Sequence, residues 1–321
     1  MGEFDLIDRY FKRPARRHPL GVGDDCALLG LAPGMQLAVS CDMLVEGRHF
    51  LSTTDPRKLG HKCLAVNLSD LAACGAEPLA FVLALALPQA DDAWLEPFSR
   101  GLLALADQHG CELVGGDTTR GPLNICVTVF GQVPPGQALL RSGARAGDDI
   151  YASGTLGDAR LALEAFRGTV SLPREVFETA RMRLETPTPR VALGLALRGI
   201  ASAAIDLSDG LAGDLGHILE QSKVGARLEA DLLPGLMAAP AGAVPRERRL
   251  ECVLAGGDDY ELLFTAAPAQ AAAVAAAAAA AAADGLPVTR IGRIEAEAGL
   301  RLIDGAGHPV PPRYASFDHF A

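Results

Sequence analysis

The chain has 321 residues, 49% of them apolar, and a formal net charge of −10. That length suits two domains with a sizeable core, and the acidic balance, with lysine only at Lys12, Lys58, Lys62 and Lys223, excludes a nucleic-acid binder, which needs clustered cations. Seven cysteines without a CxxC pair point to reduced thiols rather than disulfides or zinc.

The N-terminal MGEFDLIDRYFKR lacks the apolar centre of a signal peptide. Strand and helix signals then alternate. Residues 36–41 (QLAVSC) read as a buried strand ending at Asp42, and 59–74 as a helix closed by Gly75 and Pro78. AFVLALAL at 80–87 is a second strand. The following segment places Trp94, Phe98, Leu102 and Leu105 at helical spacing, with Asp91 as N-cap and Gly110 past the end. CELVGG and NICVTVFGQV read as strands. The turn-dense stretch 134–148 marks a domain boundary, giving domains 1–138 and 139–321. Beyond it, strands are expected at 149–154, 201–206, 226–233, 260–267 and 287–294, and helices at 158–167, 190–199 and 209–222. The longest apolar stretch, 271–283, is almost all alanine. Alanine forms helices but is too weakly hydrophobic for a membrane span. The expected protein is α/β, cytoplasmic, and without membrane or nucleic-acid partners.

Aspartates recur where apolar runs end: GVGDD at 21–25, AVSCD at 38–42, LVGGD at 113–117, AAIDLSD at 203–209 and LAGGDD at 254–259. Asp70 adds one from a helix, a turn from Asn67. Any one of them is an ordinary turn residue, and Asp206 or Asp209 could cap the helix near Leu211. Five together suggest a site beyond the strand ends of an open sheet. Carboxylates with Ser hydroxyls suit Mg²⁺, which bridges to substrate phosphates. The neighbouring glycines let backbone N–H groups approach a phosphate. No GxGxxG, GxxxxGK[ST], HRD, DFG or GxSxG motif is present.

These segments resemble the thiamine-monophosphate kinase family, relatives of aminoimidazole ribonucleotide synthetase and selenophosphate synthetase. The likeness rests on GEFDLI at 2–7, GVGDDCALL at 21–29, VSCDMLVEGRHF at 39–50, KCLAVNLSDLAACGAEP at 62–78, VGGDTTRGPL at 114–123, RSGARAGDDIYASGTLGD at 141–158, AIDLSDGLAGDLGHI at 204–218, GGDDYELLFT at 256–265 and FDHF at 317–320. The resemblance implies two α/β domains of the aminoimidazole ribonucleotide synthetase type, the N-terminal sheet pairing across a homodimer and the C-terminal domain closing the active site. It implies transfer of the γ-phosphoryl of ATP to thiamine monophosphate, with several Mg²⁺ ions. By residue it implies metal ligands at Asp25, Ser40, Cys41, Asp42, Asp70, Asp117, Asp206 and Asp209, and ATP contacts at Gly116, Asp117, Arg141 and Ser208. Substrate contacts fall on His49, Asp258 and Phe317, and the catalytic set is Asp42, Asp117, Arg141 and Asp209.

Three positions depart from the family: Cys41 stands for Thr, Asp258 for Glu, and Phe317 for Tyr or Trp. A thiol is a poor Mg²⁺ ligand, so Cys41 fits that role only through its carbonyl. The acceptor phosphate, with a second pKa near 6, is already largely a dianion at neutral pH. The expected chemistry is therefore direct in-line transfer without a general base or a phospho-enzyme. Two alternatives stand beside it: a same-fold enzyme with another acceptor, as in selenophosphate synthetase, and a non-catalytic divalent-metal-binding protein.

Overall fold

The structure, a computed structural model, describes residues 2–282 and 285–311. In chain order its elements are α1 (Glu3–Tyr10), β1 (Gln36–Val45), α2 (Pro56–Ala73), β2 (Glu77–Leu87), α3 (Asp92–His109), β3 (Glu112–Arg120), β4 (Asn124–Val133), β5 (Asp149–Ser153), α4 (Asp158–Phe166), α5 (Arg174–Glu185), α6 (Val191–Ala196), β6 (Ala203–Asp206), α7 (Leu211–Ser222), β7 (Gly225–Glu229), α8 (Arg246–Ala255), β8 (Leu262–Ala266), α9 (Ala271–Ala280), β9 (Val288–Glu295), β10 (Gly299–Ile303) and β11 (Pro309–Val310). They form two units, Met1–Leu71 with Ala76–Gly136, and Ala72–Gly75 with Gln137–Ala321.

The first unit carries a four-stranded sheet in the order β1-β4-β2-β3. β2 and β3 are parallel, and the crossover between them is α3. This helix starts and stops as its sequence dictates. Asp91 accepts the N–H of Ala93 at 2.9 Å, and Gly110 ends the helix in the left-handed region. Phe81, Leu85, Ile125 and Val127 of the sheet are fully buried, as are Leu64 and Leu68 of α2 and Phe98 and Leu102 of α3. β1 is an edge strand. Its alternate residues Leu37, Val39 and Met43 stay about half exposed, at 48%, 56% and 54%.

The second unit carries a mixed seven-stranded sheet in the order β11-β10-β7-β9-β5-β8-β6. Its core gathers Ile150, Ile205, Leu215, Leu228, Leu263 and Ile291. The expected strands are all present, four of them shorter and β9 shifted by one residue. The expected strand 226–233 covers only β7 and gives way to a 3₁₀ turn at Leu233–Leu236.

Two expectations need correction. β1 does not stop at Asp42; it pairs with β4 as far as Val45↔Asn124. Asp117 likewise lies inside β3, paired with Ala84 of β2. Aspartate is depleted in strands, so a reading from propensity ends the strand there. A continuous ladder on the neighbouring strand overrides that preference. Among the described residues no helix is long and apolar enough to cross a membrane. All seven cysteines are free.

Candidate active site

The carboxylates of the first unit fall into two groups. The first sits where α2 crosses β1. Alternation along β1 turns Ser40 and Asp42 toward α2. The Ser40 hydroxyl donates to Oδ2 of Asp70 at 2.5 Å, and the Asp42 N–H donates to Oδ1 of Asn67 at 3.1 Å. Asn67 in turn donates to the carbonyl of Cys63 at 2.9 Å. The i, i+3 spacing of Asn67 and Asp70 therefore does two jobs, bracing the strand and presenting an acid. Burial first, and the charge of Asp70 second, push the Asp42 carboxyl up to about 6. Two facing carboxylates beside a hydroxyl form a hard-oxygen donor set that a divalent cation would relieve, and in that respect the residues fit Mg²⁺.

Cys41 points the other way. Its sulfur lies 3.4 Å from that of Cys126 and accepts from the Thr128 hydroxyl at 3.2 Å. The thiol is thus on the face of the sheet away from Asp42 and Asp70.

The second group lines a cleft of about 680 Å³. It contains Asp24 and Asp25 of the GVGDD turn and Gly116 and Asp117 of β3. Leu28 N–H closes that turn onto the carbonyl of Leu20 at 3.0 Å. Gly116 has φ 152°, and a side chain there would collide with the carbonyl of Leu83. The glycine is thus required by the sheet itself, apart from any ligand. Asp42 and Asp117 stand on the two outermost strands, three strand spacings or about 14 Å apart, in adjacent register rows. Among the described residues, no three His, Cys, Asp or Glu side chains are gathered closely enough to hold a metal ion.

His49 follows β1 in a turn. Its Nδ1 accepts the Val45 N–H at 3.0 Å, which in the neutral ring leaves the proton on Nε2. Its carbonyl accepts from the buried Lys62 ammonium at 3.4 Å.

In the second unit, Asp206 ends β6 and is buried. Ser208 and Asp209 form the turn into α7, which is held from behind by a residue that sequence reasoning passed over. Asp214 lies in the first turn of the helix, and its Oδ2 accepts the N–H groups of Asp209 and Gly210, both at 3.1 Å. Burial, the largest cause, pushes its carboxyl up to about 7. Asp206 and Asp209 are not the caps here; the N-cap is Gly210, without a side-chain bond.

The GGDDY loop zips onto this turn. Asp258 N–H donates to the carbonyl of Ser208 at 2.9 Å, Tyr260 N–H to that of Leu207 at 2.8 Å, and Leu207 N–H to that of Glu261 at 2.9 Å. Asp258 and Tyr260 have φ 67° and 49°, an unfavourable region for residues with a Cβ. Such conformations persist where the surroundings over-determine them. The surroundings here are buried ions. Asp259 accepts the Gly157 N–H at 3.0 and 2.9 Å, and fully buried Glu261 accepts from Arg183, Arg190 and the Ser153 hydroxyl. These partners lie 71 to 108 residues away, too far for any spacing rule to reveal.

Arg141 is exposed, and its guanidinium has no hydrogen-bond or ion-pair partner among the described residues. Its backbone is fixed, because the Ser222 hydroxyl donates to its carbonyl at 3.2 Å. Phe317 lies outside the described residues.

Residues 23–133 match the N-terminal domain of AIR synthase related proteins, and residues 145–305 match their C-terminal domain. A thiamine-monophosphate kinase of Escherichia coli is 47% identical over 326 residues, covering 100% of this chain and 98% of that protein. The chain belongs to the thiamine-monophosphate kinase family. A thiamine-monophosphate kinase structure from Stenotrophomonas maltophilia superposes with a TM-score of 0.84 at 48% identity, covering 93% of this chain and 94% of its own. A structure described as AaThiL complexed with AMPPCP and TMP gives a TM-score of 0.75 at 29% identity, covering 99% and 96%.

Proposed function

We propose that the chain transfers the γ-phosphoryl group of ATP to thiamine monophosphate, yielding thiamine diphosphate and ADP. The single observation that carries this reading is the apposition of Asp42 and Asp70 beside Ser40, a hard-oxygen set in a member of this kinase family. The central obstacle is repulsion between two anionic reactants. Two unit charges 4 Å apart cost about 1 kcal/mol in water and about 4 kcal/mol at an effective dielectric of 20. Bound Mg²⁺ would supply charge neutralisation, held by Asp25, Ser40, Asp42, Asp70, Asp117, Asp206 and Asp209, with Cys41 restricted to its carbonyl.

The chain's own groups do the rest. Arg141 has the free fork needed to grip phosphate oxygens. Gly116, Asp117 and Ser208 position the nucleotide. His49, Asp258 and Phe317 address the thiamine portion. No residue needs to remove a proton, since the acceptor is already largely ionised. Transfer is in line, and positioning carries the rate.

We also infer a cytoplasmic homodimer built on the half-exposed β1 face with Leu37, Val39 and Met43. Light scattering should give twice the chain mass. A monomer would reject that assembly.

The test of function is product formation followed by chromatography, with ATP, Mg²⁺ and thiamine monophosphate each omitted in turn. Thiamine diphosphate made only when all three are present supports the reading. ATP hydrolysis without it refutes the acceptor.

A further inference from the structure

The thiols of Cys41 and Cys126 have no role in the chemistry above, yet their sulfurs meet across the β1–β4 ladder, 3.4 Å apart. Cys41 is exposed and Cys126 half-buried. The register pairs Cys41 with Thr128 and Met43 with Cys126, so the two cysteines are diagonal neighbours on one face of the sheet. Diagonal neighbours stand about 7–8 Å apart at Cα. A disulfide spans less than about 7 Å, so this pair does not close into one without moving the backbone. A bridging ion needs only sulfurs that converge, and these do. The Thr128 hydroxyl donates to the Cys41 sulfur at 3.2 Å and helps to orient it. Met43, opposite Cys126, adds a thioether to the same face, its sulfur accepting from the Asn124 amide at 3.6 Å. Ser40 and Asp42, the neighbours of Cys41 in β1, engage α2 on the opposite face. One strand thus carries hard oxygen donors on one side and soft sulfur donors on the other.

We propose that Cys41 and Cys126, with the Met43 thioether beside them, form a binding site for a soft monovalent metal ion, Cu(I). Thiolate and thioether donors select Cu(I), zinc or iron–sulfur clusters. Structural zinc takes four Cys or His ligands, and the clusters take four cysteines. Among the described residues no three His, Cys, Asp or Glu side chains gather to hold a metal ion, which leaves Cu(I), for which a pair of thiolates suffices. Binding releases the thiol protons to solvent and changes no oxidation state. The inference is independent of the kinase reading. Leu37 and Val39 share this face, so in the inferred homodimer the ion sits at the contact between copies.

The test is competition for Cu(I) between the reduced full chain and a coloured Cu(I) chelator, without oxygen. The protein should withdraw an equimolar amount of Cu(I), and excess Mg²⁺ should not displace it. Cys41→Thr, which restores the family's residue, and Cys126→Ser should each weaken binding more than about 100-fold, since loss of even a supporting partner costs about 10–100-fold. Cys26→Ser, which removes another exposed thiol, should leave binding within about twofold. Asp42→Asn should bind Cu(I) as the wild type does, because its carboxylate is on the opposite face. X-ray absorption at the copper edge should show sulfur neighbours, a readout that does not depend on the folding of any variant. The proposal falls if no Cu(I) is withdrawn, if either pair variant binds fully, or if Cys26→Ser loses as much as they do. It also falls if Asp42→Asn or excess Mg²⁺ abolishes binding, or if oxygen and nitrogen replace sulfur around the copper.

Discussion

In the first unit Ser40, Asp42 and Asp117 sit inside the strands of a sheet, and Asp42 and Asp70 face one another across the β1–α2 contact. In the second unit Ser208, Asp209 and Asp258 sit on loops, and the carboxyl groups that hold those loops lie behind them, in Asp214, Asp259 and Glu261. The first arrangement sets two carboxylates against one another beside a hydroxyl. In the second, Asp214, Asp259 and Glu261 hold Ser208, Asp209 and Asp258 in place. Acidic residues of the same kind thus face one another in one unit and hold loop backbone and arginine forks in the other.

The comparison can be broken from the side of stability first. Glu261→Gln removes the fully buried partner of the half-buried Arg183 and Arg190. Breaking a buried pair in this way costs about 3–5 kcal/mol. Urea unfolding should show that loss, and a change below 1 kcal/mol would mean the loops do not depend on the cluster. In contrast, Asp42→Asn removes one of two facing carboxylates. It should lower kcat/KM more than about 100-fold while leaving the melting temperature equal or higher. A fall in both would make Asp42 a structural residue like Glu261.

Arg141→Ala should raise KM for ATP about 10-fold, the worth of a charge-assisted hydrogen bond, with little effect on unfolding. The smallest effect concerns pH. Burial holds the Asp259 carboxyl well above its ordinary value, and the Gly157 N–H only partly offsets this. A group raised in the folded state contributes stability below its unfolded pKa near 4, and that contribution is lost as pH rises through the folded value. Asp259→Asn removes this titration. Relative to the wild type, the variant should therefore gain stability from pH 4 upward. A constant difference across that range would show that Asp259 does not titrate on unfolding.

The two units also differ in how far their sequences disclosed them. α3 was legible in full, because Asp91, Gly110 and the Phe98–Leu102–Leu105 spacing all agree. α5 was not, because the polarity of REVFETARMRLE hides its short buried stripe of Ala180 and Leu184. β10 was also missed, since only Leu302 of its five residues is buried. At the candidate site, composition alone picked out the acidic turns. Their separation into an Asp42–Asp70 pair and an Asp25–Asp117 cleft did not show, because it depends on the strand order β1-β4-β2-β3. Asp214 escaped for another reason: it lies inside α7, four residues past the N-cap, where no capping pattern marks it as the acceptor for the turn before the helix.

The most direct measurement is equilibrium binding of a non-hydrolysable ATP analogue with Mg²⁺, and separately of thiamine monophosphate, to Asp42→Asn and to Asp258→Asn. The account predicts that Asp42→Asn loses the magnesium–nucleotide complex and keeps the thiamine phosphate, while Asp258→Asn does the reverse. Equal losses in both variants, or an Asp42→Asn protein that binds the magnesium–nucleotide complex as the wild type does, would contradict the roles proposed for Asp42 and Asp258.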